Sequence, residues 1–249
     1  MSDRRPGGDP VRTLFISDLH LDESRPGIVE RFERFLRGPA RESEALYILG
    51  DLFEYWVGDD GLALPFAGRI AGDLAALARR TPVHFMHGNR DFLVAERFAR
   101  ETGVRLIGDP TAIDLYGTAA LLMHGDTLCT DDSAYQAFRA RVRHPEWQRA
   151  TLARPIAERI ALARGMREGS EGAKQSKAMD IMDVAPSAVE AAFAASGAAV
   201  LIHGHTHRPA RHVHRVGGAD RVRWVLPDWY EGGGYLEASP AGIRALDAL

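Results

Sequence analysis

The chain is nearly without cysteine and nearly without lysine. Cys129 is the only thiol in 249 residues, which excludes an internal disulfide and suits a reducing compartment. Lys174 and Lys177 are the only lysines, so the other permanent side-chain cations are all arginine. No apolar run approaches the roughly 18 to 20 residues of a membrane helix. The stretch Met1 to Gly8 is polar and rich in Gly and Pro, unlike the apolar core of a secretory signal. Charge of one sign is also lacking. Lys and Arg total 31 against 34 Asp and Glu, a formal −3, which gives no global pull toward nucleic acid or an anionic membrane. The expectation is a cytoplasmic protein with no nucleic-acid partner; peripheral membrane contact is still allowed.

What is present is a full core and a change of rhythm. With 45% hydrophobic residues, the chain suits one domain carrying an insertion. Residues 1–10 read as a flexible tail. From 11 to 131 strand-like apolar runs, such as Leu14-Phe15-Ile16 and Leu46 to Leu49, alternate with helically spaced residues such as Ile28, Phe32, Phe35 and Leu36. From 132 to 196 strand runs vanish and helical spacing takes over, with Pro145, Pro155 and Pro186 as boundaries and an expected break from Gly165 to Gly172. Strand signals return over 197–249, with Gly232 to Gly234 as a turn before a closing strand. The reading is α/β: a layered core of 11–131 and 197–249, interrupted by a helical cap at 132–196.

Five short blocks stand at or just after apolar strand runs: Asp18-Leu19-His20, Gly50-Asp51, Gly88-Asn89-Arg90-Asp91, His124-Gly125-Asp126 and Gly204-His205-Thr206-His207. Hard ligands at the carboxyl ends of successive strands are how an α/β protein assembles a site. Asp18 and His20, two apart on an extended strand end, can point to one side, and His205 and His207 repeat the spacing. A lone Asp-x-His or Gly-Asp is ordinary loop chemistry; all five in this order point to a pair of divalent ions bridged by a carboxylate. Two such ions outweigh the charge of Asp18 and Asp51, so the site can bind a phosphate anion. Among the remaining histidines, His87 and His203 are near enough in sequence to orient ligands.

The order of these blocks resembles the calcineurin-like metallophosphoesterases over the stretch from Val11 to about Pro209. That resemblance implies a β-sandwich flanked by helices and a binuclear metal centre. It assigns Asp18, His20 and His207 to one ion, Asn89, His124 and His205 to the other, and Asp51 as the bridge. Many relatives carry a histidine after the Gly-Asn, placed to protonate a leaving alkoxide, whereas this chain has Arg90. Arginine stays protonated near neutral pH but clamps phosphate through parallel hydrogen bonds, which suits a leaving group that needs no proton.

A narrower resemblance follows from Gly-Asn-Arg-Asp, from the run His124 to Asp132, from Ser170, Lys174 and Lys177, and from His203 to Pro209. Together they are similar to the family of UDP-2,3-diacylglucosamine diphosphatases of the lipid A pathway in Gram-negative bacteria. This implies hydrolysis of that lipid nucleotide to UMP and 2,3-diacylglucosamine 1-phosphate, by a metal-activated hydroxide at the uridine-side phosphorus, usually with Mn²⁺. The implied substrate-binding residues are Asn89, Arg90, Asp132, Ser170, Lys174, Lys177 and His205; the implied catalytic residues are Asp51, Asn89, Arg90 and His124. The implied place of action is the cytoplasmic face of the inner membrane, held peripherally, with a monomer as the default. Phe138, Trp147, Leu152, Ile156, Ile160 and Met166 are candidates to line an acyl-chain cleft. Another metallophosphoesterase activity and a non-enzymatic scaffold are the rival readings.

Overall fold

The computed structural model describes residues 11–176 and 183–248, with 170–176 as backbone only. The tail at 1–10 and Lys177 lie outside the described residues. Two sheets stack on each other. The first has six strands: β1 (Thr13–Ile16), β2 (Ala45–Leu49), β3 (Val83–Met86), β4 (Arg105–Ile107), β10 (Gly234–Ser239) and β11 (Gly242–Asp247). They run in the order β11-β10-β1-β2-β3-β4, parallel from β1 to β4. The second sheet comprises β5 (Thr111–Leu115), β6 (Thr118–Leu122), β7 (Val200–His203), β8 (Ala210–Val216) and β9 (Ala219–Val225). Its order is β5-β6-β7-β9-β8, with β6, β7 and β9 parallel.

The side-chain period of two decides which layer each residue joins. Phe15, Leu49 and Met86 point inward and pack against Leu122, Ile202 and Leu226 between the sheets. Their neighbours Leu14, Ile16 and Ile48 point outward, under α1 (Pro26–Arg37) and α2 (Pro65–Ala78). Pro26 opens α1, where its missing N–H costs nothing; Ile28, Val29, Phe32, Phe35 and Leu36 form the buried stripe, and Arg34 and Arg37 close the last turn. The short α3 (Glu96–Thr102) buries Phe98 in the same layer. The β-sandwich flanked by helices read from the sequence therefore forms.

Between β6 and β7 the described residues form the helices α4 (Ser133–Arg143), α5 (Pro145–Leu152), α6 (Ile156–Ser176) and α7 (Pro186–Ser196). Val189 and Phe193 of α7 pack on Leu121 and Leu201 of the second sheet. The expected break from Gly165 to Gly172 does not occur, and α6 runs through it. A glycine inside a helix costs about 1 kcal/mol relative to alanine, which weakens a helix without ending it. Arg159, upstream in α6, holds the helix to the core, giving hydrogen bonds to Val57 O and to both carboxylate oxygens of Asp60. Among the described residues, no helix is long and apolar enough to cross a membrane.

Candidate metal centre

The five blocks converge where the carboxyl ends of β1, β2, β3, β6 and β7 meet. Asp18 and His20 do not lie on an extended strand end. Both adopt left-handed backbone conformations, as do Asp51, His205 and His207, at φ 55°, 48°, 53°, 68° and 54° respectively. Such conformations cost a non-glycine residue on the order of 1 to 3 kcal/mol each. Hydrogen bonds between the loops hold them: Asp18 N to Gly50 O (3.1 Å) and His20 N to Asp51 O (3.0 Å). The glycines of the blocks allow the close approach. A Cβ on Gly88 would overlap the Asp51 carboxylate and backbone nitrogen, and one on Gly204 would overlap Asp18 and the Ser17 hydroxyl.

Two groups of ligand atoms result. Asp18, His20 and His207 form one, and Asp18, Asp51 and His124 the other. His20 Nε2 and His207 Nε2 are 3.3 Å apart; two nitrogens placed tetrahedrally about 2.1 Å from one ion lie about 3.4 Å apart. Asn89 Oδ1 lies 3.1 Å from His124 Nε2 and 2.9 Å from His205 Nδ1, which brings the predicted second set together. Asp51 faces both sides: Oδ2 is 3.8 Å from His20 Nε2, and Oδ1 is 3.9 Å from His124 Nε2. Asp18 Oδ1 is buried, and the side-chain nitrogen it faces is His207 Nε2, at the long distance of 3.5 Å. A carboxylate oxygen in that state is fitted to a cation. The donor set, carboxylate and amide oxygens with imidazole nitrogens, suits divalent first-row metals.

Charge is held there by position. Burial alone would raise the Asp18 carboxyl, but the hydrogen bond and charge of His207, with His124 and His20 adding, keep it well below the usual carboxylate range. Burial pushes Asp51 up to about 7 against the pull of His124, with Asp91 and Asp18 adding to the rise. Burial also works against a charged His124, but the carboxylates of Asp51, Asp126 and Asp18 raise it to about 9. His124 Nδ1 lies 2.8 Å from Leu49 O, an acceptor that assigns the proton to Nδ1 and turns Nε2 toward the ligands.

Several residues to which the sequence assigned no role of their own build this geometry. The Asp91 carboxylate, fully buried, accepts from the backbone N–H groups of Gly88 (2.8 Å), Leu52 (2.8 Å), Asp51 (3.3 Å) and Phe53 (3.4 Å). It thereby ties the loop after β2 to the loop after β3. Asp126 accepts from Tyr135 Oη (2.8 Å) and Arg139 Nε (2.7 Å), and Arg143 donates to Gly88 O (2.8 Å), so α4 is fastened to two ligand loops. His203 contacts Gly204 O and Arg223 beside the loop that carries His205 and His207. His87 does not orient a ligand; its Nε2 meets Val94 O at 2.7 Å.

A cavity of about 830 Å³ opens over the centre. His20, Asp51, Asn89, His205 and His207 form its floor with Arg90 beside them, and Asp132 also lines it. One stretch of its wall is apolar, formed by Phe92, Phe138, Trp147, Leu162, Ala163 and Met166, while Arg25, Glu54, Arg159, Arg167 and Arg208 also line it. Of the cleft candidates, Phe138, Trp147 and Met166 line it, whereas Leu152, Ile156 and Ile160 do not. Leu152 is instead exposed to solvent. Ser170 and Lys174 fall on α6, where only backbone is described.

The sequence pattern of the calcineurin-like phosphoesterases matches residues 11–209. A UDP-2,3-diacylglucosamine hydrolase of Aromatoleum aromaticum is 55% identical over 233 residues, covering 93% of this chain and 95% of that protein. A protein of the same description from Stenotrophomonas maltophilia is 52% identical over 248 residues, covering 96% and 99%. Among solved structures, an archaeal phosphodiesterase aligns over 95% of this chain and 99% of its own, at 14% identity and a TM-score of 0.48.

Proposed function

Because the chain belongs to the calcineurin-like phosphoesterase family, we propose that it hydrolyses the diphosphate of UDP-2,3-diacylglucosamine. The products are UMP and 2,3-diacylglucosamine 1-phosphate, a step of lipid A biosynthesis. The observation that carries this reading is the joining of a polyvalent ligand cluster to a cavity with an apolar stretch of wall, with Arg90 between them. A small phosphoester has no use for a wall of Phe92, Phe138, Trp147 and Met166; a diacylated sugar does.

Asp18, His20 and His207 would hold one divalent ion and Asn89, His124 and His205 the other, with Asp51 available to both. When bound, the pair supplies Lewis-acid stabilisation and a water of lowered pKa; Mn²⁺ is the ion proposed. The chain's own residues do the rest. Arg90 holds the diphosphate through its guanidinium, and its backbone N–H donates to Asp51 Oδ1 at 2.8 Å, which keeps the arginine and the bridging carboxylate in register. Asn89 and His205 border the same floor and orient the phosphate to be attacked. The sugar phosphate leaves as a stable anion, so no proton donor is required at that oxygen. Asp132 caps α4, accepting from Tyr135 N at 3.0 Å, and its side chain borders the sugar. Ser170, Lys174 and Lys177 are assigned to the substrate on sequence pattern. The protein acts as a monomer in the cytoplasm, meeting its lipid substrate at the inner face of the membrane, with α4 to α6 covering the acyl chains.

The test is a substrate panel with Mn²⁺: UDP-2,3-diacylglucosamine, a cyclic nucleotide and DNA, each with the native protein and with Asp51→Asn. Turnover of the lipid nucleotide alone, lost in a folded Asp51→Asn protein, is expected. Preferential cleavage of the cyclic nucleotide or DNA would assign another phosphoesterase activity. No metal uptake and no turnover would favour a scaffold.

A further inference from the structure

We propose that Glu54 is the positioning residue for His20, and that through Arg167 it couples helix α6 to the metal centre. The proposal rests on the assignment of His20 as a ligand. The backbone places Glu54 there. After Asp51 the chain runs alongside the Asp18 loop: Leu21 N donates to Leu52 O (2.9 Å), Leu21 and Phe53 form a parallel bridge, and Glu54 N donates to Leu21 O (3.1 Å). Its carboxylate is brought under His20 and is 1% exposed.

Each oxygen has a direction. Oε2 lies 3.8 Å from His20 Nδ1 and 3.0 Å from Arg25 Nη1, while Oε1 lies 2.9 Å from Arg167 Nε. Two arginines are sufficient to pair a buried carboxylate, so charge balance alone does not require the imidazole. The arrangement of His20 does. Its Nε2 faces His207 Nε2 and Asp51 Oδ2, so for Nε2 to coordinate, the ring proton must sit on Nδ1. A carboxylate charge 3.8 Å from Nδ1, beyond hydrogen-bond length but unscreened in a buried site, favours that tautomer. Tyr230 fixes the plane of the same ring, stacked at 5.2 Å and 7°, and the Arg25 guanidinium lies over Tyr230 at 4.7 Å.

The link to α6 is Arg167. It lies about two turns beyond Arg159, which anchors the same helix to Asp60 and Val57. Met166 and Leu162 of this helix line the cavity wall. A shift of α6 against its substrate therefore moves the guanidinium that holds Glu54, and with it the charge that orients His20.

The test compares wild type, Glu54→Gln and Arg167→Gln, each stripped of metal and titrated with Co²⁺ by calorimetry and visible absorption. Wild type is expected to take up two ions. Glu54→Gln should lose about ten- to a hundred-fold in affinity for one of them, with the other unchanged, and Arg167→Gln should weaken the same ion by less. Nitrogen-15 chemical shifts of His20 in the metal-free wild type should report the Nδ1–H tautomer, a readout that survives even if a variant fails to fold. Wild-type affinity for both ions in Glu54→Gln, or an Nε2–H tautomer at His20, overturns the proposal. Failure of the wild type to bind metal would instead overturn the ligand assignment on which it rests.

Discussion

Replacing Asp91 by alanine should be among the most damaging single changes outside the ligand set. The carboxylate accepts four backbone N–H groups, two at 2.8 Å and two at 3.3 and 3.4 Å. Hydrogen bonds to a charged group contribute about 1.5 to 3 kcal/mol net, and the two short ones should dominate. Against this stands the cost of burying Asp91, which raises its carboxyl despite those bonds. Setting one against the other leaves a loss of about 3 to 4 kcal/mol, or roughly 10 °C in Tm for a chain of this length. Asp91→Asn keeps one acceptor oxygen but aims an NH₂ at backbone donors, and should lose about 2 kcal/mol. Urea unfolding at pH 7.5, with chelator and then with Mn²⁺, measures both. The loop containing Asp51 should loosen as well, so added metal should restore less stability than in wild type. Unfolding of Asp91→Ala within 1 kcal/mol of wild type would show that these N–H groups find other acceptors.

Arg159→Ala removes the bonds to Asp60 and Val57 O. It should speed limited proteolysis across α5 and α6; an unaltered cleavage rate would mean that the other contacts of α6, among them Arg167 with Glu54, are enough to hold it. His124, raised to about 9 from an ordinary 6.5, keeps a proton on the metal-free protein between pH 7 and 9. Metal binding must expel it, so affinity should climb up to about ten-fold per pH unit across that window and level off above it; calorimetry in buffers of different ionisation enthalpy would reveal the released proton, and a flat profile would contradict the assignment. Cys129 is buried, and burial with the nearby Asp126 and Asp183 charges pushes its thiol up to about 12. Iodoacetamide at pH 8 should therefore leave it unmodified until the protein unfolds; rapid alkylation of the native protein would show that the cavity admits reagent to it.

The convergence of the five blocks was legible because they combine two local signals, an apolar strand run and a hard donor at its end. Asp91 stands within one of those blocks, but nothing in the sequence marks its role, and Glu54 stands in none. Each acts on a loop or ligand distant in sequence, Asp91 on the residues after Asp51 and Glu54 on His20, and only the pairing of loops shows it. Left-handed backbone at Asp18 and His20 was likewise hidden, since strand spacing suggests extended chain. The glycines of α6 misled in the other direction, because a weak helix former can be held by distant contacts such as Arg159 with Asp60. β5 escaped notice too. Its residues alternate between exposed and partly buried at a sheet edge, so it shows none of the apolar run that marks β1 or β7. Leu152 fits a helical apolar stripe in sequence, yet it is exposed and does not join Trp147 and Met166 in the wall.

The most direct measurement is hydrolysis of UDP-2,3-diacylglucosamine in ¹⁸O-labelled water by the metal-loaded protein, with mass analysis of both products. The proposed chemistry places one ¹⁸O in UMP and none in the sugar phosphate, and removal of the metal stops the reaction. Label in the sugar phosphate, or turnover that persists after the metal is removed, would contradict it.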